Sequence, residues 1–455
     1  MTKLLIKNGY VVTVDDDFTI YPKGAVYVKN GRIVEVGDSS VLEKKYEVQG
    51  VETIDAQGKA VIPGLINTHL HSGIIRGTAE DLPLWEWISK HVDPKHKVLT
   101  AEDAYVASSL CYGESLLAGT TCVVDMYRFM DRCADAAEET GIRAVLVPYV
   151  ADRPNYSYFE TIEDNIRLVE ERHGSANDRI HVWFGLEHLV YCTEEAYHRV
   201  ADLAVKYGVG IHTHGEESID MVQRISRKYG CSPIQLFYNR GILGPKTLLA
   251  HCVWLTPIEM ELLAKTGTSV AHCPISNMKL ASGVAPIPAY LAKGISVGLA
   301  TDGVKENNNL DLFEEMKFAS LLQKVHHLNA ELMPAEETLR IATIYGAKAI
   351  GLDHEIGSIE AGKKADLVLV NLRRLHMAPI LEDDYANIVA NIVFSANGGD
   401  VDTVLVDGKV VVEEHKLMTV DEEYLIDKAT QTTKALIERR RPFVPDAPTI
   451  DDIEV

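Results

Sequence analysis

Between residues 63 and 350 the chain alternates apolar, β-prone runs with helical patterns, and this alternation limits the possible folds more than any other feature. The runs cover residues 64–71, 121–127, 143–150, 180–187, 209–214, 247–253, 268–274 and 295–302. Their hydrophobicity is continuous, as expected of strands buried on both faces of a parallel sheet. Helical patterns such as 102–117 and 258–265 fall between them. Eight β/α units in about 290 residues match an α/β architecture of the (β/α)8 TIM-like barrel kind. A doubly wound sheet is the structural alternative, which periodicity does not separate.

The flanks read differently. Short β-rich segments at 4–6, 10–14, 25–28 and 32–36 are broken at Asn8-Gly9, at 15–17 and at Asn30-Gly31. Asn-Gly between apolar runs predicts a hairpin. Segments 366–370 and 402–412 repeat the pattern, with Asp407-Gly408 as the turn. Residues 1–62 and 351–420 are therefore expected to form one small β-sandwich domain from both termini, and 63–350 the (β/α)8 barrel. Residues 421–455 read as a C-terminal helix, stopped at Pro442, and a solvated acidic tail at 446–454.

Four of the central runs deliver residues that a catalytic divalent ion needs. The first ends in His69 and His71, and the fifth in His214, with Glu217 just beyond. The sixth carries His251, and the eighth ends in Asp302. In a closed parallel barrel the strand C-termini converge on one face, where active sites form. His69 and His71, two apart on a strand, share a face. His212 has the same spacing from His214. His214 is preferred as the ligand because it lies nearer the strand end, and His212 is read as a packed or hydrogen-bonded core residue.

The expected ligands of one divalent metal per subunit are thus His69, His71, His214 and Asp302. Zn²⁺ suits them, and Fe²⁺ or Mn²⁺ also accepts them. A bound ion lowers the pKa of water from about 15.7 toward about 7, which makes hydroxide the expected nucleophile. Asp302 is placed to take the water proton and Glu217 to pass a proton to the substrate nitrogen or leaving group. His251 would polarise the attacked carbon or hold the hydroxide. The fourth run contains no lysine, which favours one metal over a lysine-bridged pair.

Charge and cysteine usage narrow the partners. With 45 basic against 66 acidic residues the formal net charge is −21, which disfavours a nucleic-acid backbone. No apolar run reaches the ~18 residues of a membrane helix, and the first nine residues lack a signal-peptide pattern. A cytoplasmic enzyme acting on a small molecule, with no nucleic-acid or membrane partner, is expected. The seven scattered cysteines contain no Cys-x-x-Cys pair, which fits reduced, packed thiols and excludes the nucleobase deaminases that hold zinc through such a pair. In the connecting segments, Trp85 and Trp87 are candidates to stack on a flat substrate. Asn277 and a solvated Lys279 would line the mouth, and His272 would face the site through a hydrogen bond.

These motifs resemble the amidohydrolase superfamily. Within it they are most similar to the group of methylthioadenosine/S-adenosylhomocysteine deaminases and triazine (atrazine) chlorohydrolases and aminohydrolases. VIPGLINTHLH at 61–71 is similar to the family's first-strand motif. SNMKLASGVAP at 276–286, TDG at 301–303 and NNNLDLFEEM at 307–316 resemble the subgroup's own signatures. GSIEAGKKAD at 357–366 resembles the return into the small β domain. That segment is also a near miss to a phosphate-binding loop, with Lys364 where Ser or Thr is required. The resemblance spans nearly the whole chain. It implies the same four ligands, Glu217 and His251 as catalytic residues, dependence on Zn²⁺ or Fe²⁺, and a homo-oligomer, dimer or tetramer.

Two positions depart from the adenosine deaminases of this group. His96 stands where a Glu holds the ribose hydroxyls, and Glu187 stands in or near the place of a substrate-contacting His at the end of strand four, unless His188 takes that role. A carboxylate there would pair with an amino-rich substrate such as a guanidine, biguanide or aminotriazine.

The expected function is a metal-dependent aminohydrolase (deaminase) that attacks the amino-substituted C=N carbon of a small purine-, triazine- or guanidine-like substrate and releases ammonia. The alternatives are a methylthioadenosine/S-adenosylhomocysteine deaminase proper, or an s-triazine chlorohydrolase or alkylaminohydrolase. A non-catalytic metal-stabilised scaffold would leave Glu217 and His251 without a role.

Overall fold

The computed structural model describes residues 2–48, 50–78 and 80–445, so the acidic run at 446–454 lies outside the described residues. The N-terminal stretch forms β1 (Lys3–Val12), β2 (Ile20–Lys29), β3 (Arg32–Asp38), β4 (Glu52–Asp55) and β5 (Lys59–Pro63). The first parallel sheet follows: β6 (Leu65–Leu70), β7 (Thr120–Tyr127), β8 (Arg143–Pro148) and β9 (Ile180–Val182). A second parallel sheet contains β10 (Phe184–Gly185), β11 (Ile211–Gly215), β12 (Thr247–His251), β13 (Ser269–His272) and β14 (Val297–Leu299). In both, strand order follows chain order. Helices cover the connections, as the continuous hydrophobicity of the strands requires.

The remaining strands, β15 (Leu367–Asn371), β16 (Val401–Val406), β17 (Lys409–Glu413) and β18 (Lys416–Leu417), return to the N-terminal ones. β15 pairs antiparallel with β5, from Leu367 opposite Pro63 to Asn371 opposite Lys59. Both chain ends thereby join one nine-stranded sheet. Ile6, Val26, Val61, Leu367, Leu369 and Leu405 form a common apolar core against it. Asn30-Gly31 and Asp407-Gly408 make the expected turns, each with two positive φ angles (53° and 79°, 49° and 68°). That backbone matches the twist of paired strands.

Asn8-Gly9 behaves otherwise. It lies inside β1, and the register against β2 shifts between Ile6 and Gly9. Asn8 has φ 60°, and a Cβ on Gly9 would sit 2.7 Å from Val61 Cγ2. The dipeptide is therefore a bulge that bends a continuing strand, not a hairpin.

The fourth apolar run, expected as one strand, is divided between the two parallel sheets. Trp183 N donates to Leu146 O on one side and Phe184 N to Gly210 O on the other (3.0 and 2.9 Å). Glycine is needed at this seam, because a Cβ on Gly185 would lie 2.0 Å from Pro148 O. At the opposite seam Thr68 Oγ1 donates to Leu299 O (2.9 Å) and Asp302 N to His69 O (3.0 Å).

The expected helices at 102–117 and 258–265 correspond to Ala101–Leu117 and Pro257–Thr266, each opened by a capping box, Thr100 with Asp103 and Thr256 with Glu259. The C-terminal helix is Glu422–Arg440. The segment carrying Trp85, Trp87 and His96 is not an open loop: it is helical over Leu84–Trp87 and Asp93–His96, with a π-helical turn between. All seven cysteines are unpaired and six are buried. No helix among the described residues is long and apolar enough to cross a membrane.

Candidate active site

Hydrogen bonds behind the histidines decide which nitrogens face the centre. His212 Nδ1 lies 2.8 Å from Leu248 O, and a carbonyl only accepts, so that nitrogen carries the proton. His212 Nε2 therefore accepts from His69 Nδ1 at 2.7 Å, which leaves His69 Nε2 as a buried lone pair without a partner. His71 Nδ1 donates to Met126 O (2.7 Å) and His214 Nδ1 to Glu187 O (2.6 Å). Their Nε2 lone pairs then face each other at 3.2 Å, where no proton is left to join them. Two opposed lone pairs, a third beside them and Asp302 form a cage that calls for a cation.

The spacing agrees. Asp302 Oδ1 is 3.5 Å from His69 Nε2 and 3.4 Å from His71 Nε2. A tetrahedral ion with bonds of about 2.1 Å sets its ligand atoms about 3.4 Å apart. Three imidazole nitrogens and one carboxylate oxygen are thus the donor set and size of a single divalent-metal site.

Electrostatics point the same way. Burial holds His69 and His71 well below the ordinary imidazole pKa and takes His214 down to about 4, so each offers a lone pair at neutral pH. Burial works against charge on Asp302, but contact with His69, His71 and His251 holds its carboxyl well below the usual range. Ser276 Oγ and Gly303 N also donate to it (2.7 and 2.8 Å). Neutral imidazoles facing an ionised carboxylate leave a cation's place between them.

His251 and Glu217 complete the centre. His251 Nε2 lies 3.9 Å from both Glu217 Oε2 and Asp302 Oδ2, and His251 Nδ1 is 3.0 Å from Asn277 Oδ1. Ser282 Oγ donates to Glu217 Oε1 (3.3 Å), while burial raises the Glu217 pKa. His251 and Asp302 both sit at positive φ, 69° and 61°. Non-glycine residues bear that strain only where surrounding contacts impose it, often at functional sites.

Trp85, Trp87, Glu187, His188, His214, Glu217, His251 and Asp302 line one pocket, together with Tyr149, Tyr191 and Glu306. Three of the expected substrate contacts do not. His96 is buried behind Tyr149, its ring among Tyr127, Tyr149 and Phe159, with neither nitrogen hydrogen-bonded among the described residues. His272 is also fully buried with both nitrogens unpartnered, so the expected hydrogen bond is not made. Asn277 supports His251 from behind instead of lining the mouth. Lys279, read as solvated, pairs with Glu80 (2.8 Å) and Lys305 O (2.9 Å).

Tyr149 and Glu306 were missed from sequence, whereas His212, read as a packed or hydrogen-bonded core residue, is buried and bonded to both Leu248 O and His69. Tyr149 lies at the end of the third run and was open to the same strand-end reasoning. Glu306 lies in a connection, where no period marks it.

Comparison with known proteins agrees with this geometry. A 5'-deoxyadenosine deaminase of Methanosarcina mazei is 39% identical over 442 residues, covering 96% of this chain and 99% of its own. A 5-methylthioadenosine/S-adenosylhomocysteine deaminase of Desulforudis audaxviator is 41% identical over 440 residues, with the same coverage. Among solved structures, an adenosine deaminase from Xanthomonas campestris with bound zinc superposes with a TM-score of 0.91 at 31% identity, over 96% of this chain and 99% of that one. Atrazine chlorohydrolase from Arthrobacter aurescens, at 23% identity and a TM-score of 0.86 over 94% and 99%, shares the fold. The amidohydrolase family model matches residues 60–411, the span that holds every candidate ligand described above, and the chain belongs to that family.

Proposed function

We propose that this protein is a zinc-dependent aminohydrolase in which His69, His71, His214 and Asp302 hold the ion and Asp302, Glu217 and His251 carry the proton transfers. The observation that carries the reading is the pair of opposed lone pairs on His71 and His214, bounded by Asp302 and overlooked by His251 and Glu217. When bound, the ion would lower the pKa of a water at this point toward neutrality. Asp302 is placed to take a proton from the attacking water, and His251, supported by Asn277, to hold the oxygen as it reaches the substrate carbon. Glu217, its pKa raised by burial, hands a proton to the substrate nitrogen. In balance, an amino-substituted C=N carbon and water give a carbonyl and ammonia. Zinc in the solved adenosine deaminase supports the choice of ion.

The substrate is a small purine-, triazine- or guanidine-like compound. A second reading, deamination of 5'-deoxyadenosine or methylthioadenosine, draws on what the relatives of about 40% identity are named for. Contacts at both seams support closure of the two parallel sheets into one (β/α)8 barrel over 63–350, with the nine-stranded sheet of 1–62 and 351–420 folded over its core as a sandwich. A cytoplasmic homo-oligomer completes the reading.

Ammonia release tests it. The zinc-loaded enzyme is offered 5'-deoxyadenosine, methylthioadenosine, S-adenosylhomocysteine, guanine, melamine, guanylurea and a biguanide. Ammonia from at least one, abolished by chelation and restored by zinc, is expected. Chloride or alkylamine release from a substituted triazine, with no ammonia from any member, would move the protein to the hydrolases of other leaving groups.

A further inference from the structure

We propose that Glu187 makes this pocket selective for a compact, flat heteroaromatic that carries a second amino group beside the one released. The proposal rests on the aminohydrolase reading and names its substrate more narrowly. Glu187 lines the pocket, its backbone carbonyl orients His214, and its Oε2 is buried without a partner among the described residues. Asp93 Oδ1 is buried and unpartnered as well, and burial, with the nearby charges of Asp93 and Glu217, pushes the Glu187 carboxyl well above the usual carboxylate range. The neighbouring cation, Lys305, is already engaged: its Nζ donates to Glu306 Oε1 (3.2 Å) and lies 4.6 Å from the centre of the Trp87 ring.

A buried carboxyl oxygen without a partner is costly unless the ligand supplies a donor, and a donor or cation from the ligand favours the ionised form that burial opposes. An amino group brings N–H donors, and an amidine or protonated aminoheterocycle also brings the charge that strengthens the bond. The opposite polarity is present too. Trp85 and Trp87 line the same pocket, and their indole N–H groups have no acceptor among the described residues. They suit the ring nitrogens of a flat, nitrogen-rich substrate. The cavity volume is about 60 Å³. At about 10–15 Å³ for each water held, that is room for about five waters, the size of a small ring system.

Calorimetric titration of the zinc-loaded full-length enzyme with two matched triazines tests the proposal. One is 2,4-diamino-6-methyl-1,3,5-triazine and the other 2-amino-4,6-dimethyl-1,3,5-triazine. The diamino compound is expected to bind at least about tenfold tighter, as one charge-assisted hydrogen bond predicts, and Glu187→Gln to reduce that ratio to below about threefold. Equal affinities in the unmodified enzyme overturn the proposal whether or not the variant folds, and so does an undiminished preference in a folded Glu187→Gln protein. Ammonia is scored separately over the whole substrate panel. Amino-group preference without ammonia from any compound keeps this proposal and sinks the aminohydrolase reading. Ammonia from adenosine compounds, with no preference between the triazines, does the reverse.

Discussion

Replacing His212 by Phe tests the proton relay that aims His69 at the metal. The substitution keeps a ring of similar size in a fully buried position and removes the acceptor 2.7 Å from His69 Nδ1. Without that acceptor, His69 is free to carry its proton on Nε2, where it blocks the lone pair. The proton that stays on Nδ1 is then buried and unpaired, at a cost of about 1–3 kcal/mol. Loss of a metal ligand's supporting partner typically weakens metal affinity about 10–100-fold, which is about 1.4–2.7 kcal/mol. The two routes agree, so zinc affinity should fall by one to two orders of magnitude while the ligands themselves remain. The assay is competition for zinc between the apoprotein and a chromogenic chelator, with circular dichroism confirming the fold. His212→Gln, which retains an acceptor, should recover part of the loss. A folded His212→Phe protein that binds zinc within about twofold of the unmodified chain would refute the relay.

Three further outcomes follow from the same geometry. Glu217→Gln should lower kcat by about 10²–10⁴-fold and leave zinc content near one per chain, measured by steady-state kinetics with elemental analysis; equal loss of metal would assign Glu217 to the ligand set. Asp366→Asn removes one partner of Arg143, whose guanidinium bonds Asp366 at 2.9 and 3.1 Å and Asp407 at 2.6 Å and so ties β8 to the terminal sheet. Breaking that buried pair should cost about 3–5 kcal/mol in urea unfolding, and a loss under 1 kcal/mol would contradict it. Asp125 is buried and, despite donors from Ser72 and Tyr112, burial raises its pKa to about 6. A carboxyl raised above its unfolded value near 3.9 binds its proton more tightly when folded. Its contribution is therefore full below about pH 4 and lost as pH rises through about 6. Asp125→Asn should abolish that part of the decline, by about 2–3 kcal/mol, in stability measured between pH 4 and 6.5; parallel curves would argue against it.

Strand ends were the most legible part of the chain. His69, His71, His214, His251 and Asp302 could be read because buried parallel strands announce themselves as apolar runs and finish in the residues they present. Contacts made by the first connection were far less legible. Trp85 and Trp87 reach the pocket, while His96 on the same helical segment is turned behind Tyr149. A short helix with a π-helical turn resets which side chains share a face, and no sequence period reports it. His272 ends strand β13 and Asn277 lies just beyond it, and Asn277 is kept from the pocket by its contact with His251.

By itself, then, the sequence determined the α/β class, the strand-end placement of the candidate ligands and the turns at Asn30-Gly31 and Asp407-Gly408, because period, strand termination and turn chemistry are local properties. Only the tertiary structure decided that Asn8-Gly9 bulges within a strand, that the run at 180–187 passes between two sheets, and which imidazole nitrogens are left as lone pairs. Those outcomes depend on where buried polar groups find partners, and the partners lie far along the chain: His212 for His69, Met126 for His71, Glu187 for His214.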